Sequence, residues 1–393
     1  MRMQRQTRFE FGEESAWSPR LEDVMQQVSR IQPSAYSRTR NYVDGAVTRL
    51  SPYLSRGVIS TRLVAESLVA RGYPWEVCES LVKELAWRDY FQRVWQHQGN
   101  AINNDLRQAQ EGVRHHGIPS SLVGGATGIE ALDAAIAELY RTGYMHNHVR
   151  MYTAALACNI AGYHWLEPAR WMYYHLLDGD WASNALSWQW VAGAFSARKY
   201  YANQENINKY CYSKQRGSFL DRDYASLVGM EVPSILQDTI KPELKTSLPG
   251  DWLTNNQTLR NLLAANPERP VLLYHFYNLD PEWLPEFSNQ DPLRVLLWKP
   301  SFVDQYPVSE RVMNWAKALS DQIPGVLWVS SSFEELFGNS DFHRLHFREH
   351  PTTAHYRGQS HPREWLFPEV DDYFPSFSAY WKRCESKAVK MFR

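Results

Sequence analysis

The sequence predicts a mainly helical amino-terminal part followed by a small α/β domain with a mostly parallel sheet. Three observations point there. Apolar residues keep helical spacing up to about residue 225, and few segments alternate like strands. Short continuous apolar runs gather after residue 268. Between them, the stretch 229–268 is rich in Pro, Asn and short polar pieces, as a connector is. The expected organisation is a helical domain over 1–225, a connector over 226–267 and an α/β domain over 268–393.

Each element has a local reason. Ser51-Pro52 reads as an N-cap followed by proline at the first helical position, where a missing N–H costs nothing. Ser60 caps a helix whose apolar face is Leu63, Val64, Leu68 and Val69 and which stops at Gly72-Tyr73-Pro74. Leu81, Leu85, Tyr90, Phe91, Val94 and Trp95 form a second face. Gly128–Arg141 reads as a third helix, and Val149–Ala161, apolar almost all round, as a buried one. Val271–Phe276, Val295–Trp298 and Val326–Ser330 read as buried strands of a parallel sheet, with a helix over Val308–Gln322 and a further strand at Arg344–Arg348.

Composition excludes several classes. The 393 residues carry a formal net charge of −1 and only 4 cysteines, far apart, which rules out a disulfide scaffold. No run approaches the roughly 20 apolar residues of a membrane span, and the first residues lack a secretory apolar region. The expectation is a cytoplasmic monomer with no membrane contact. The 16 Trp, 22 Tyr and 16 Phe are a heavy aromatic load that calls for an explanation and is consistent with a large core.

Three segments carry chemistry. Thr48-Arg49-Leu50-Ser51 is a hydroxyl-rich turn into a helix, suited to a pyrophosphate or simply an ordinary cap. Glu84 and Arg88 are spaced for a helical ion pair, with Trp87 between them. Met145-His146-Asn147-His148-Val149-Arg150-Met151 is followed by Asp178-Gly179-Asp180, whose carboxylates suit the start of a helix carrying Asn184, Trp188 and Trp190. Two histidines near carboxylates raise a metal site, but the missing i,i+4 pair and the Met, Asn and Trp neighbours speak against zinc, and no metal is expected.

Taken in order over roughly residues 36–212, these segments resemble the FAD-binding domain of the DNA photolyase/cryptochrome family. The resemblance implies an all-helical domain holding FAD. It implies that Tyr36, Thr48, Arg49, Leu50 and Ser51 hold the phosphates and that Arg88 and Asn147 line the flavin cavity. By the same resemblance Arg150 would pair with Asp178, Asp180 would accept the flavin N3 proton, and Asn184 would face N5. Glu84, Trp87, Asn147, Met151 and Trp190 would form the pocket for a DNA lesion, since an extruded base pair needs flat apolar walls and a few polar readers. Trp188 and Trp165 match two members of an electron-transfer chain, and the third falls at Gly112. Asn147 and Met151, where (6-4) enzymes carry histidines, suit cyclobutane dimers.

The sequence also departs from the family. His148 stands where Arg is usual, Ala185-Leu186-Ser187 replaces Asn-Gly-Gly, and the chain starts with the helical domain. Residues 268–393 are either a shortened, permuted, Rossmann-like antenna domain, its chromophore unknown, or an unrelated docking module. The leading function is light-driven repair of pyrimidine dimers in DNA; the alternatives are a cryptochrome-like sensor with a protein partner on the C-terminal domain, and a flavin-binding remnant. Arg93, Arg198, Lys199 and Arg216 are candidate phosphate anchors or solvated surface.

Overall fold

A computed structural model of the chain describes residues 17–286, 291–338 and 341–393. The stretch 1–16, read above for its lack of a secretory region, lies outside them. The first half is helical around one long helix, Trp75–Gln98, which follows Pro74 and stops at Gly99 with φ +52°. The second half of that helix is buried almost all round, and the buried set includes the polar Asp89, Gln92 and Arg93. Buried polar side chains need partners, and theirs come from Thr61, from Asp180 and from residues 363–368 near the far end of the chain.

Ser60 caps Thr61–Ala70, accepting from the Leu63 N–H at 3.0 Å. Ser51 differs from expectation. It is the first residue of the helix Ser51–Ser55 rather than its cap, and Leu50 holds the cap position without a side-chain bond. The third expected helix runs Glu130–Thr142 and ends at left-handed Gly143. The helix expected over 149–161 divides into Asn147–Ala155 and a π turn, Leu156–Ile160. In that turn Asn159 donates to the carbonyls of Val191 and Tyr200, which ties the widened backbone to its neighbours.

The C-terminal sheet has five parallel strands. Leu327–Ser330 lies at one edge, followed by Leu293–Trp298, then Val271–Tyr274, then Leu345–Arg348, with Gln359–His361 at the other edge. Val271 pairs in register with Leu293 on one side and Leu345 on the other. Val271–Tyr274 and the end of its neighbour, 295–298, are apolar and buried at every position because the middle of the sheet is covered on both faces, whereas the edge strand Gln359–His361 is polar and mostly exposed. Leu272, Tyr274, Leu296 and Trp298 face a core continuous with the helical half. Val271, Leu273, Val295 and Leu297 face a second core closed by Phe333 and by the helix Asn256–Ala265 through Leu259 and Leu263. That helix falls inside the stretch expected to connect the two parts.

Two further pieces join the halves. Ile118–Pro119 pairs antiparallel with Thr239–Ile240. The helix Phe377–Met391, absent from the expectations, is capped by Ser376 and returns along the long helix, where Trp381 stacks on Trp75. Its apolar positions Phe377, Tyr380, Trp381, Cys384 and Ala388 keep helical spacing and are buried.

The halves approach each other closely at Gly57. Its φ is +64°, and a Cβ there would stand 2.4 Å from the Tyr277 carbonyl oxygen. Gly57→Ala is expected to cost about 2 kcal/mol or more, from left-handed strain plus displacement of the strand end. Urea unfolding checks this; an unchanged midpoint would show that the halves do not rely on this contact.

Candidate functional site

The turn Asp178-Gly179-Asp180 organises the site. Asp180 is the N-cap of the helix Trp181–Ala192, and its Oδ1 accepts from the Ser183 N–H at 2.7 Å. Its Oδ2 accepts from Gln92 Nε2 at 2.5 Å and lies 3.5 Å from Arg88 Nη2. Arg150 Nη2 reaches both oxygens of Asp178, at 3.0 and 2.8 Å, while its Nε donates to the Met145 carbonyl. Asn184 is buried one turn further on, with Nδ2 donating to the Ala169 carbonyl at 2.8 Å. The structure thus brings together Arg88, Arg150, Asp178, Asp180 and Asn184.

Glu84 and Arg88 do not pair. Arg88 turns inward to Asp180, the Leu54 carbonyl and Ser55, and Glu84 takes Arg40 at 2.7 Å instead. The physical reason is that a carboxylate as buried as Asp180 demands a cation more strongly than the partly exposed Glu84 does. Burial pushes the Glu84 carboxyl up, with Arg40 pulling the other way.

The other expected residues lie apart. Tyr36 is buried beside Arg40, 6.0 Å from its guanidinium, and burial pushes its hydroxyl up. Thr48 accepts from the Leu50 N–H through Oγ1, Arg49 is exposed at φ +52°, and Ser51 is half-buried. Asn147 is exposed at its helix start. Arg49 lines a small cavity of about 40 Å³ with Trp17 and Tyr144, room for about one water. The expected phosphate turn therefore does not open on the Asp178–Asp180 turn.

Met151, Trp87 and Trp190 are half-buried. The Trp87 ring stacks on Phe377 of the C-terminal helix at 3.7 Å and 11°, and Trp190 lies 6.0 Å from Tyr200. Trp188 and Trp165 are buried; Trp165 Nε1 donates to Asp105, and its ring is 5.7 Å from His164. Gly112 occupies a left-handed position, φ +71°, beside Lys199. Of the candidate anchors, Arg198 and Arg216 are exposed and Lys199 donates to the Glu111 carbonyl. Arg93 is corrected: it is buried with its guanidinium 3.7 Å over Trp365, a packing role.

Sequence reasoning missed a cavity of about 820 Å³, which is within the range of cofactor sites. Arg88 and Asp180 form part of its helical wall; His275, His350 and Arg363 from the sheet region form part of the other. No periodicity marks these three. They follow strand ends whose spatial order the sequence does not disclose. Among the described residues no three His, Cys, Asp or Glu side chains gather to hold a metal ion, and no helix is long and apolar enough to cross a membrane.

Residues 81–242 match the family model of the FAD binding domain of DNA photolyase. A deoxyribodipyrimidine photo-lyase of Streptomyces griseus is 35% identical over 149 residues, 38% of this chain and 32% of its own length. A cryptochrome DASH of Synechocystis is 32% identical over 196 residues, 46% of this chain and 38% of its own. The chain thus spans well under half the length of these curated relatives. The Synechocystis cryptochrome crystal structure aligns with TM-score 0.44 at 26% identity, covering 52% of this chain and 46% of that one. Over residues 81–242 the chain is therefore similar to the FAD-binding domain of the photolyase/cryptochrome family.

The donor set at the turn suits a flavin: a buried carboxylate and a cation on a cavity of cofactor size, with a buried amide one turn away. Of the residues expected to hold it, Arg88 and Asp180 line this cavity, whereas Arg150, Asp178, Asn184 and the Thr48–Ser51 turn do not.

Arg150→Met would leave Asp178 buried without its cation and is expected to cost about 3 kcal/mol, read by denaturant unfolding. Adding Asp178→Asn should recover part of that loss; no recovery would show that the pair is not coupled. A second expectation concerns Asp280, which faces the cavity and pairs with Arg348 at 3.2 Å. Burial raises its carboxyl to about 6, against the pull of Arg348. Between pH 4 and 6 the folded state then holds a proton that the unfolded state has released, so this group lowers stability as pH rises. Asp280→Asn should remove a slope of about −1.4 kcal/mol per pH unit from that window, measured as unfolding free energy against pH.

Proposed function

We propose that this protein is a blue-light flavoprotein that holds FAD at the Asp178–Asp180 turn and senses light rather than repairing DNA. The observation that carries the choice is the Trp87–Phe377 stack. A wall expected to receive an extruded base is covered by the chain's own C-terminal helix, and Glu84, the expected lesion acceptor, is engaged by Arg40. Bound FAD supplies light absorption and electron transfer. The protein's residues hold and tune it. The Arg150–Asp178 pair pins the turn, Asp180 offers an acceptor for a flavin N–H, and the Asn184 amide stands one helical turn beyond. Trp188 and Trp165 are buried donors along which an electron can enter, with His164 next in line. The domain limits 1–225, 226–267 and 268–393 frame this reading, with the C-terminal domain free to carry a protein partner.

Repair of cyclobutane pyrimidine dimers is the second reading. The photolyase relatives and the Asn147 and Met151 side chains favour it. One assay separates the two. Purified full-length protein should show a flavin spectrum that bleaches under blue light with a reductant. The reduced, illuminated protein should leave a dimer-containing oligonucleotide unchanged. Dimer splitting by the wild type would establish repair; absence of flavin would remove both readings. Phe377→Ala should loosen the C-terminal helix, seen as faster proteolysis after residue 370, without loss of bleaching.

A further inference from the structure

The third tryptophan expected along the electron path falls at Gly112, an exposed glycine in a left-handed conformation. Trp165 is therefore the outermost indole of the pair, and it is fully buried. Among the described residues the ring beside it is His164, 5.7 Å away, and an imidazole gives up an electron less readily than an indole.

Trp165 opens the helix Leu166–His175. The helix Trp181–Ala192, which carries Trp188, is tied to that helix by the Asn184 bond to the Ala169 carbonyl. An indole that loses an electron in such a place carries a buried positive charge. That charge is costly unless an opposite charge faces it. The oxidised ring is also a far stronger acid at its N–H than the parent indole.

Asp105 answers both demands. Its Oδ1 accepts from Trp165 Nε1 at 2.7 Å, and its Oδ2 accepts from the Gln110 N–H at 2.8 Å. His164 Nε2 lies 3.2 Å from the same Oδ1. His164 Nδ1 accepts from the Leu166 N–H, so the neutral ring carries its proton on Nε2, facing Asp105. Burial lowers the His164 pKa while Asp105 pulls it back up. The loop is fixed to the tryptophan at a second point, where Gln110 Oε1 accepts from the Trp165 N–H at 3.0 Å. The Asp105 side chain is 20% exposed, so a proton placed on it has a way to water.

We propose that Trp165 is the outermost electron donor of this chain and that Asp105 takes its indole proton as the electron leaves. One electron passes from Trp165 to an oxidised Trp188, and the Nε1–H bond breaks. The proton joins the Asp105 carboxylate, and a neutral indolyl radical remains. A thiol reductant in solution later supplies an electron, and Asp105 returns the proton. Proton loss opposes return of the electron, which is the service a more distant third ring would give. The oxidant of Trp188 is an excited flavin, so this assignment rests on the flavin reading.

The test is laser-flash absorption on the full-length, flavin-bound protein, since the cation and neutral radicals of tryptophan have distinct visible bands. The wild type should end in the neutral radical, and Trp165→Phe should lose the long-lived signal. Asp105→Asn keeps an acceptor oxygen for the indole but is no base. It should leave the cation radical and shorten the charge-separated lifetime by about tenfold or more, the worth of one charge-assisted hydrogen bond. Asp105→Glu should restore the neutral radical, and circular dichroism confirms that each variant folds. A second readout needs no flavin. In flavin-stripped protein the Trp165 indole N–H resonance, assigned by its loss in Trp165→Phe, should move upfield in Asp105→Asn. A neutral radical formed equally well in Asp105→Asn, or an indole resonance that does not move, would overturn the role of Asp105 and leave the flavin reading standing. A purified protein without flavin would end both.

Discussion

The Arg56 guanidinium lies wholly inside the protein, and the two halves meet around it. Its Nη1 donates to the Gly179 carbonyl at 2.9 Å, in the middle of the Asp178–Asp180 turn. Its plane sits 3.9 Å from the Phe276 ring, just past the central strand of the sheet. Its own carbonyl accepts from the Leu279 N–H, and the neighbouring Ser55 hydroxyl donates to the Asp178 carbonyl. One short turn, 55–57, thus clamps the cofactor turn on one side and the strand end on the other. Burial pulls the Arg56 pKa down, while Tyr173 and Tyr277, and after them Asp180 and Asp178, pull it back up. A buried charge of this kind is tolerated only where opposite charge and an aromatic face surround it.

That constraint explains why helical domain and sheet share a single core. Leu272, Tyr274 and Trp298 from the sheet are continuous with the helical interior, and Tyr277 donates or accepts across the boundary with Tyr173 at 2.9 Å. Such an interface resembles the inside of a domain more than a docking surface. It also places the carboxyl edge of the sheet against Arg88, Gln92 and Asp180, so that the 820 Å³ cavity belongs to both halves.

Much of this architecture was legible beforehand. The helical spacing, the Ser60 cap and the apolar strands depend on neighbours a few residues away, and all appear near the expected positions. The Arg150–Asp178 pair was implied by family likeness and is present. The Glu84–Arg88 pair was read from i,i+4 spacing and is absent, because Asp180, 92 residues from Arg88, competes for the same guanidinium. The last helix carried a readable Ser376 cap and aromatic spacing. Its docking on Trp87 was not readable, since nothing local to Phe377 names its partner.

The sequence by itself determined the main helices and the apolar strands of the sheet, because these follow from periodicity and local hydrogen bonding; the residues near the Asp178–Asp180 turn were implied by family likeness. Only the tertiary structure decided the strand order, the covering of Trp87, and the meeting of His275, His350 and Arg363 with Arg88. Those arrangements depend on which distant groups win the competition for burial and for charge, and that competition is settled by packing the whole chain at once.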